Sequence, residues 1–114
     1  MKIREITSGL LFPEGPIAMA DGSVLLVEIA RGTLSRVTPD GRVSVVADLG
    51  GGPNGAPIGP DAAPYIRNNG GFRYVSQPGD CLRPVGQADD YSGGRIERVD
   101  LNTGRIDRLY EQVD

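Results

Sequence analysis

The chain repeats itself, and a repeat restricts the fold more than any single motif within it. Glu14-Gly15-Pro16 aligns with Asn54-Gly55-Ala56 at an offset of 40 residues, which places Asp21 on Asp61 and Val27 on Arg67. Gly32-Thr33-Leu34-Ser35-Arg36-Val37 answers Gly94-Arg95-Ile96-Glu97-Arg98-Val99 at an offset of 62, and Asp40-Gly41-Arg42-Val43 answers Thr103-Gly104-Arg105-Ile106 at 63. The two copies run in the same order, and the second is longer through its middle, over residues 69–93.

Each copy reads as four short strands, placed in the first at 16–20, 23–29, 33–38 and 42–47. Ser23-Val24-Leu25-Leu26-Val27 is a nearly continuous apolar run, as a strand covered on both faces requires. Arg42-Val43-Ser44-Val45 alternates, as suits an outer strand with one wet face. Asp40-Gly41 and Asn102-Thr103-Gly104 offer the residues that tight hairpins need. No segment keeps a helical period. Four antiparallel strands in about 40 residues make one propeller blade. The predicted fold is therefore all-β: two four-stranded antiparallel blades of a β-propeller, the first over 12–50 and the second over 51–114, with residues 69–93 inserted. An eight-stranded meander or sandwich without radial symmetry is the alternative. Propellers have about four to eight blades, and two alone leave broad apolar faces open. The chain is thus expected to be incomplete by itself. The missing blades would come from sequence beyond Asp114 or from self-association, three copies of two blades making six.

Composition removes several chemistries. There is no histidine and one cysteine, Cys81, so intramolecular disulfides, His-based triads and Cys/His zinc sites are excluded. A bound metal would need oxygen donors, which suit calcium, magnesium or manganese, with zinc also open. The net charge is −3 with both signs interspersed, so no basic stripe exists for nucleic acid. No apolar stretch is long enough for a membrane span, and the N-terminal residues lack the apolar core of a signal peptide. A cytoplasmic protein is the expectation. Gly50-Gly51-Gly52-Pro53-Asn54-Gly55 fits the spacing G-x-G-x-x-G, but prolines 53, 57 and 60 forbid the helix that would present phosphate-binding amides.

Phe12-Pro13-Glu14-Gly15-Pro16, then Ala20-Asp21-Gly22 and a hydrophobic strand, resembles the senescence marker protein/gluconolactonase/luciferin-regenerating (regucalcin-like) family. Pro53-Asn54-Gly55, Gly59-Pro60-Asp61, Asn68-Asn69-Gly70-Gly71-Phe72 and Tyr91-Ser92-Gly93-Gly94-Arg95-Ile96-Glu97-Arg98-Val99-Asp100 continue the likeness along the chain. The resemblance implies a six-bladed propeller and hydrolysis of a carboxylic ester bond in a small lactone. It also implies a divalent cation, calcium foremost with zinc or manganese open, at one channel mouth. One Glu, one Asn and one Asp from different blades would hold that cation. Glu14 matches the Glu; the Asn and Asp belong to later blades. This chain alone is then expected to be inactive. A non-catalytic propeller that binds a metal or small molecule, and an inactive truncated gene product, are the other readings. Two departures stand out: Asp61-Ala62-Ala63-Pro64 replaces an Asp-Gly turn, and Arg67 replaces Val27 in an inner strand.

Glu14 is the candidate metal ligand, against a plain turn carboxylate just ahead of a strand. Asn54 holds the equivalent place in the second copy and is expected to line the channel or serve the turn. Strands alternate direction within a blade, so the insertion should lie at the same end as Glu14 and overhang the mouth. Its candidate contacts are Arg73, Tyr74, Asp89 and Tyr91; a surface loop without such a role is the alternative. Asn68-Asn69-Gly70-Gly71 reads as a loop, and Cys81 has no base near it in sequence.

Overall fold

The computed structural model describes residues 3–79, 81–91 and 93–111. Strands β1 (Pro13–Ala18), β2 (Val24–Glu28), β3 (Thr33–Val37) and β4 (Val43–Asp48) form one sheet in sequence order. Strands β5 (Pro53–Gly55) and β6 (Tyr65–Asn68) begin a second sheet. The chain then leaves it for a hairpin, β7 (Phe72–Gln77) and β8 (Cys81–Gln87), and returns as β9 (Arg95–Val99) and β10 (Ile106–Glu111). The second sheet therefore runs β5-β6-β9-β10, and every pairing is antiparallel. The described residues contain no helix, and none long and apolar enough to cross a membrane. The two sheets do not close on each other.

The all-β expectation holds, with corrections. Among the described residues there are ten strands where eight were predicted, because Phe72-Arg73-Tyr74-Val75 and Leu82-Arg83-Pro84-Val85 pair as β7 and β8. Pro84 is tolerated there because a two-stranded sheet has only edges. The first strand starts three residues earlier than predicted, at Pro13. Gly15, at φ 54, takes up a bulge between Glu14 and Ile17, so pairing to β2 continues past Pro16. Glu14 lies inside the strand rather than ahead of it. Asn68 is a strand residue, 2% exposed, and not part of a loop.

Packing follows from which residues share a face. The register aligns Val27, Leu34 and Ala47 across the first sheet. These residues form one buried cluster with Leu49, Ala56, Ile66 and Val99, and Ile17, Val46, Leu101 and Ile106 pack around it. One face of the first sheet thus lies against one face of the second. That second face carries Ile66, Asn68, Arg95, Glu97 and Val99. The other face of the first sheet carries Leu26, Glu28, Thr33, Ser35 and Val37. Residues 4–7 and Leu10 lie over part of it, enclosing a cavity of about 330 Å³ with Val24, Leu26 and Val37. The other face of the second sheet carries Tyr65, Arg67, Ile96, Arg98 and Tyr110. Arg67 is exposed on that open side, so its charge is not buried.

The turns of the two sheets make matching hydrogen bonds. Met19 N donates to Ser23 O (2.8 Å) and Gly22 N to Met19 O (3.0 Å); forty residues on, Gly59 N donates to Ala63 O (2.9 Å) and Ala62 N to Gly59 O (2.9 Å). Asp21 Oδ1 accepts from Ser23 N at 2.9 Å, and Asp61 Oδ1 from Ala63 N at 3.2 Å. The Asp61 carboxyl is held down at about 2, chiefly by Arg98 Nε at 2.8 Å and then by the Tyr65 hydroxyl. The turns after β3 and β9 also agree: Thr38 N donates to Arg42 O and Asp100 N to Arg105 O, each at 2.9 Å. Pro64 sits immediately before β6 and bridges Ile58, so no ladder donor is lost inside the strand.

Ala62 occupies the position of Gly22 and has φ 65 where Gly22 has φ 85. A side chain in that left-handed region costs about 1–2 kcal/mol, partly offset by the smaller entropy loss of alanine. Ala62→Gly should therefore stabilise the chain by about 0.5–1 kcal/mol, read as a higher urea midpoint with an unchanged slope. A lower midpoint would mean that this turn does not feel its backbone conformation.

Candidate functional site

The seam between the sheets is where the predicted site residues meet. Glu14 is exposed on β1, and Asn54 is exposed on β5. A Cβ placed on Gly15 would stand 3.6 Å from Gly55 Cα, so the first strands of the two sheets approach backbone to backbone. Neither Glu14 nor Asn54 forms a side-chain hydrogen bond or ion pair among the described residues, which leaves hard oxygen donors facing solvent at the seam.

The hairpin leans over the same end. The Phe12 ring, two residues before Glu14, lies 5.7 Å from the Tyr74 ring at 47°. Tyr74 also meets Phe72 edge-on, 6.5 Å between centroids, and burial raises its hydroxyl pKa. This contact sets the hairpin beside the segment that leads into Glu14, and the insertion contains the paired strands β7 and β8 rather than a plain loop. The other candidates are more scattered. Arg73 is exposed opposite Gly86, where a Cβ would come 3.4 Å from the guanidinium. Asp89 is exposed in the turn after β8. Tyr91 is half-buried with its ring over Gly70, where a Cβ would come within 2.5 Å, so it braces the base of the hairpin. Among the described residues no group of three or more Asp, Glu, His or Cys could hold a metal. Glu14 and Asn54 suit a hard cation in donor type but supply too few oxygens alone.

Two buried polar side chains anchor the segments that lead into Glu14 and Asn54, and the sequence reading assigned neither a role. Glu28, fully buried, accepts from Leu11 N (2.8 Å), Arg31 Nε (2.8 Å), Thr33 Oγ1 (3.2 Å) and Ser35 Oγ (2.6 Å). It fixes the segment that leads into Phe12 and Glu14. Asn68 does the same for the segment that leads into Asn54. Its Oδ1 accepts from Gly52 N and Gly70 N, each at 2.9 Å, and its Nδ2 donates to Gly50 O (3.0 Å) and Glu97 Oε1 (3.1 Å). Arg95 adds a 2.7 Å bond to Leu49 O, and its Nε lies 3.2 Å from Glu97 Oε1. Glu28 and Asn68 are forty residues apart and pair with Pro13 and Pro53 respectively. The repeat was therefore the signal that could have found them. Compared with known proteins, the chain matches no family model and no curated protein.

Burial works to raise the Glu28 carboxyl, but hydrogen bonds from Ser35, Arg31 and the Leu11 amide outweigh it and hold the group below its ordinary 4.5. A depressed carboxyl contributes stability in full above its unfolded value, and that stability disappears as pH falls through the folded one. Urea midpoints should thus begin to fall below about pH 4.5, ahead of Asp21, Asp40, Asp61 and Asp100, whose ordinary value is 3.8. Glu28→Gln should cost about 3 kcal/mol at pH 7 and show a shallower acid limb. An equally steep limb in the variant would assign the acid sensitivity elsewhere.

Proposed function

We propose that this chain forms the first two blades of a metal-dependent lactone hydrolase of the propeller type, with Glu14 as one protein ligand of a divalent cation. The observation that carries the reading is an unbonded carboxylate on β1, an edge strand, at the seam where two matching sheets meet. The matching turns, the equal placement of Glu28 and Asn68, and the four-strand order of each sheet support successive blades of one repeated unit. The family resemblance supplies the reaction: attack of water on the ester carbonyl of a small lactone.

When bound, the cation, calcium foremost with zinc or manganese as alternatives, would polarise that carbonyl and lower the pKa of a bound water. The residues of this chain have simpler tasks. Glu14 supplies charge and one or two oxygens, and Asn54 a neutral amide on the adjacent strand. Tyr74 and Phe12 form an apolar rim that would limit water and select for ligand size. Arg73 and Asp89 lie on the hairpin where a substrate could reach them. The remaining ligands would come from blades other than these two, so an open pair of sheets positions no substrate for attack.

Calorimetric titration with calcium, zinc and manganese tests the assignment. The isolated chain should bind weakly, with Kd of about 1 mM. Glu14→Gln, which keeps the shape and removes the charge, should abolish that heat, and neither protein should open a lactone. Tight binding that survives Glu14→Gln would make Glu14 a surface carboxylate and remove the metal reading.

A further inference from the structure

The two sheets do not pack through like faces. Glu28 and Asn68 are forty residues apart, and each sits opposite the corresponding proline of the preceding strand. Yet Asn68 lies on the face of the second sheet that meets the first, and Glu28 on the face of the first sheet that meets nothing of the second. The same holds throughout the register. Val27, Leu34 and Ala47 lie inside the sheet–sheet interface, while their counterparts Arg67, Ile96 and Tyr110 lie on the open face of the second sheet. Ile66, Val99 and Ile106 lie on the other side of that interface, while their counterparts lie on the outward face of the first sheet, Leu26 and Val37 buried beneath residues 4–7 and Leu10, and Val43 exposed. The interface is head-to-tail; the outward half on the second sheet is exposed at Tyr110 and Leu109, and that on the first sheet is exposed along β4, at Val43 and Val45, while residues 4–7 and Leu10 cover Leu26 and Val37.

The exposed apolar residues sit where such an interface would need them. Tyr110 is 71% exposed, Leu109 44% and Val43 41%. Their counterparts Ala47, Val46 and Ile106 all belong to the packed cluster or its edge. The charges agree as well: Arg67, which forms no ion pair among the described residues, lies on the open face of the second sheet, and exposed Asp48 on that of the first. The segment over Val24, Leu26 and Val37 is a loose cover, with the 330 Å³ cavity beneath it and Ile3 and Ile6 91% and 51% exposed.

We infer that the open face of the second sheet, centred on Ile96, Leu109 and Tyr110, docks head-to-tail on the outward face of the first sheet in a second copy of this chain, starting at exposed Val43 and displacing residues 4–7 and Leu10 from Leu26 and Val37. The contact continues the interface already present between the two sheets and uses the same register. Such unlike-face contacts build rings when the rotation closes and filaments when it does not. Three copies would give the six blades of the reading above, and only that number rests on that reading.

Complementation tests the contact, because both key side chains are exposed and their substitution need not disturb the core. The wild-type chain should exceed its 12.1 kDa monomer mass in light scattering at about 100 µM. Tyr110→Asp spoils one face and Val43→Asp the other, so each variant alone should weaken self-association at least about tenfold and run as a monomer. An equimolar mixture retains one intact pair of faces and should give a species of twice the monomer mass that grows no further. A contact between like faces would not be rescued by mixing, so a mixture that stays monomeric overturns the proposal. A wild-type chain that stays monomeric at about 100 µM does so too, and leaves the Glu14 assignment to calorimetry. A wild-type trimer supports both readings; a longer open assembly whose variants complement supports the contact and overturns the count of six.

Discussion

The fold depends on one buried amide. Asn68, 2% exposed, uses both ends of its side chain to hold the segment between the sheets, with Gly50 O and Gly52 N on one side and Glu97 and Gly70 on the other. A buried polar group that lost those partners would pay its full desolvation cost, so the connection is held in one path. That path explains the glycine run. A Cβ on Gly51 would fall 2.5 Å from Asn68 Oδ1, and one on Gly52 would collide with Asn69 Oδ1. Gly50 and Gly51 also take φ values of 66 and 60, which other residues rarely adopt. With the connection fixed, Val27, Leu34 and Ala47 come into one cluster with Ala56, Ile66 and Val99 of the second sheet's side.

The first sheet solves the same problem with a charge. Glu28 receives the Leu11 amide much as Asn68 receives that of Gly52, but Arg31, Thr33 and Ser35 complete its shell. The difference fits the two surroundings. Asn68 is enclosed between two sheets, where an unpaired charge would be costly. Glu28 lies beneath a short segment at the open face, and its partner Arg31 reaches solvent.

Much of this was legible before any coordinates. Strands that repeat at fixed offsets fix the meander order, and the apolar run at Val24–Val27 marks the strand buried on both sides. The turn at Asp61-Ala62 was readable as a departure; its solution, an alanine in a glycine conformation, was not, because propensity alone does not say which rule yields. Asn68 was misread because Asn-Asn-Gly-Gly is a common loop composition and only tertiary burial makes its first residue a strand. The hairpin was hidden for another reason. Its strands bury little, so their alternation carries a weak signal, and they hold their place through Phe12, Phe72 and Tyr74.

The same geometry bears on the proposed site, which these residues would supply only in part. Glu14 and Asn54 do not belong to a pocket within either sheet; they stand at corresponding places on the first strands of neighbouring sheets. On the proposed reading, a site built this way gains one donor with each sheet added and is complete only when the sheets surround it. Two sheets supply one carboxylate and one amide, enough to mark a position and too little to neutralise and enclose a divalent cation. The face that would accept a further sheet under the inferred contact is the one on which Arg67 stands where the first sheet has Val27, and Tyr110 where it has Ala47. Whatever covers that face has to accommodate a cation and a large aromatic ring at positions where the first sheet presents only small apolar groups. A further sheet cannot therefore be a close copy of the second; its facing side must offer a carboxylate and a recess. The outward side of the first sheet has both: exposed Asp48 at its edge, and, beneath residues 4–7 and Leu10, a cavity against Leu26 and Val37 that would be reached once that segment moved aside.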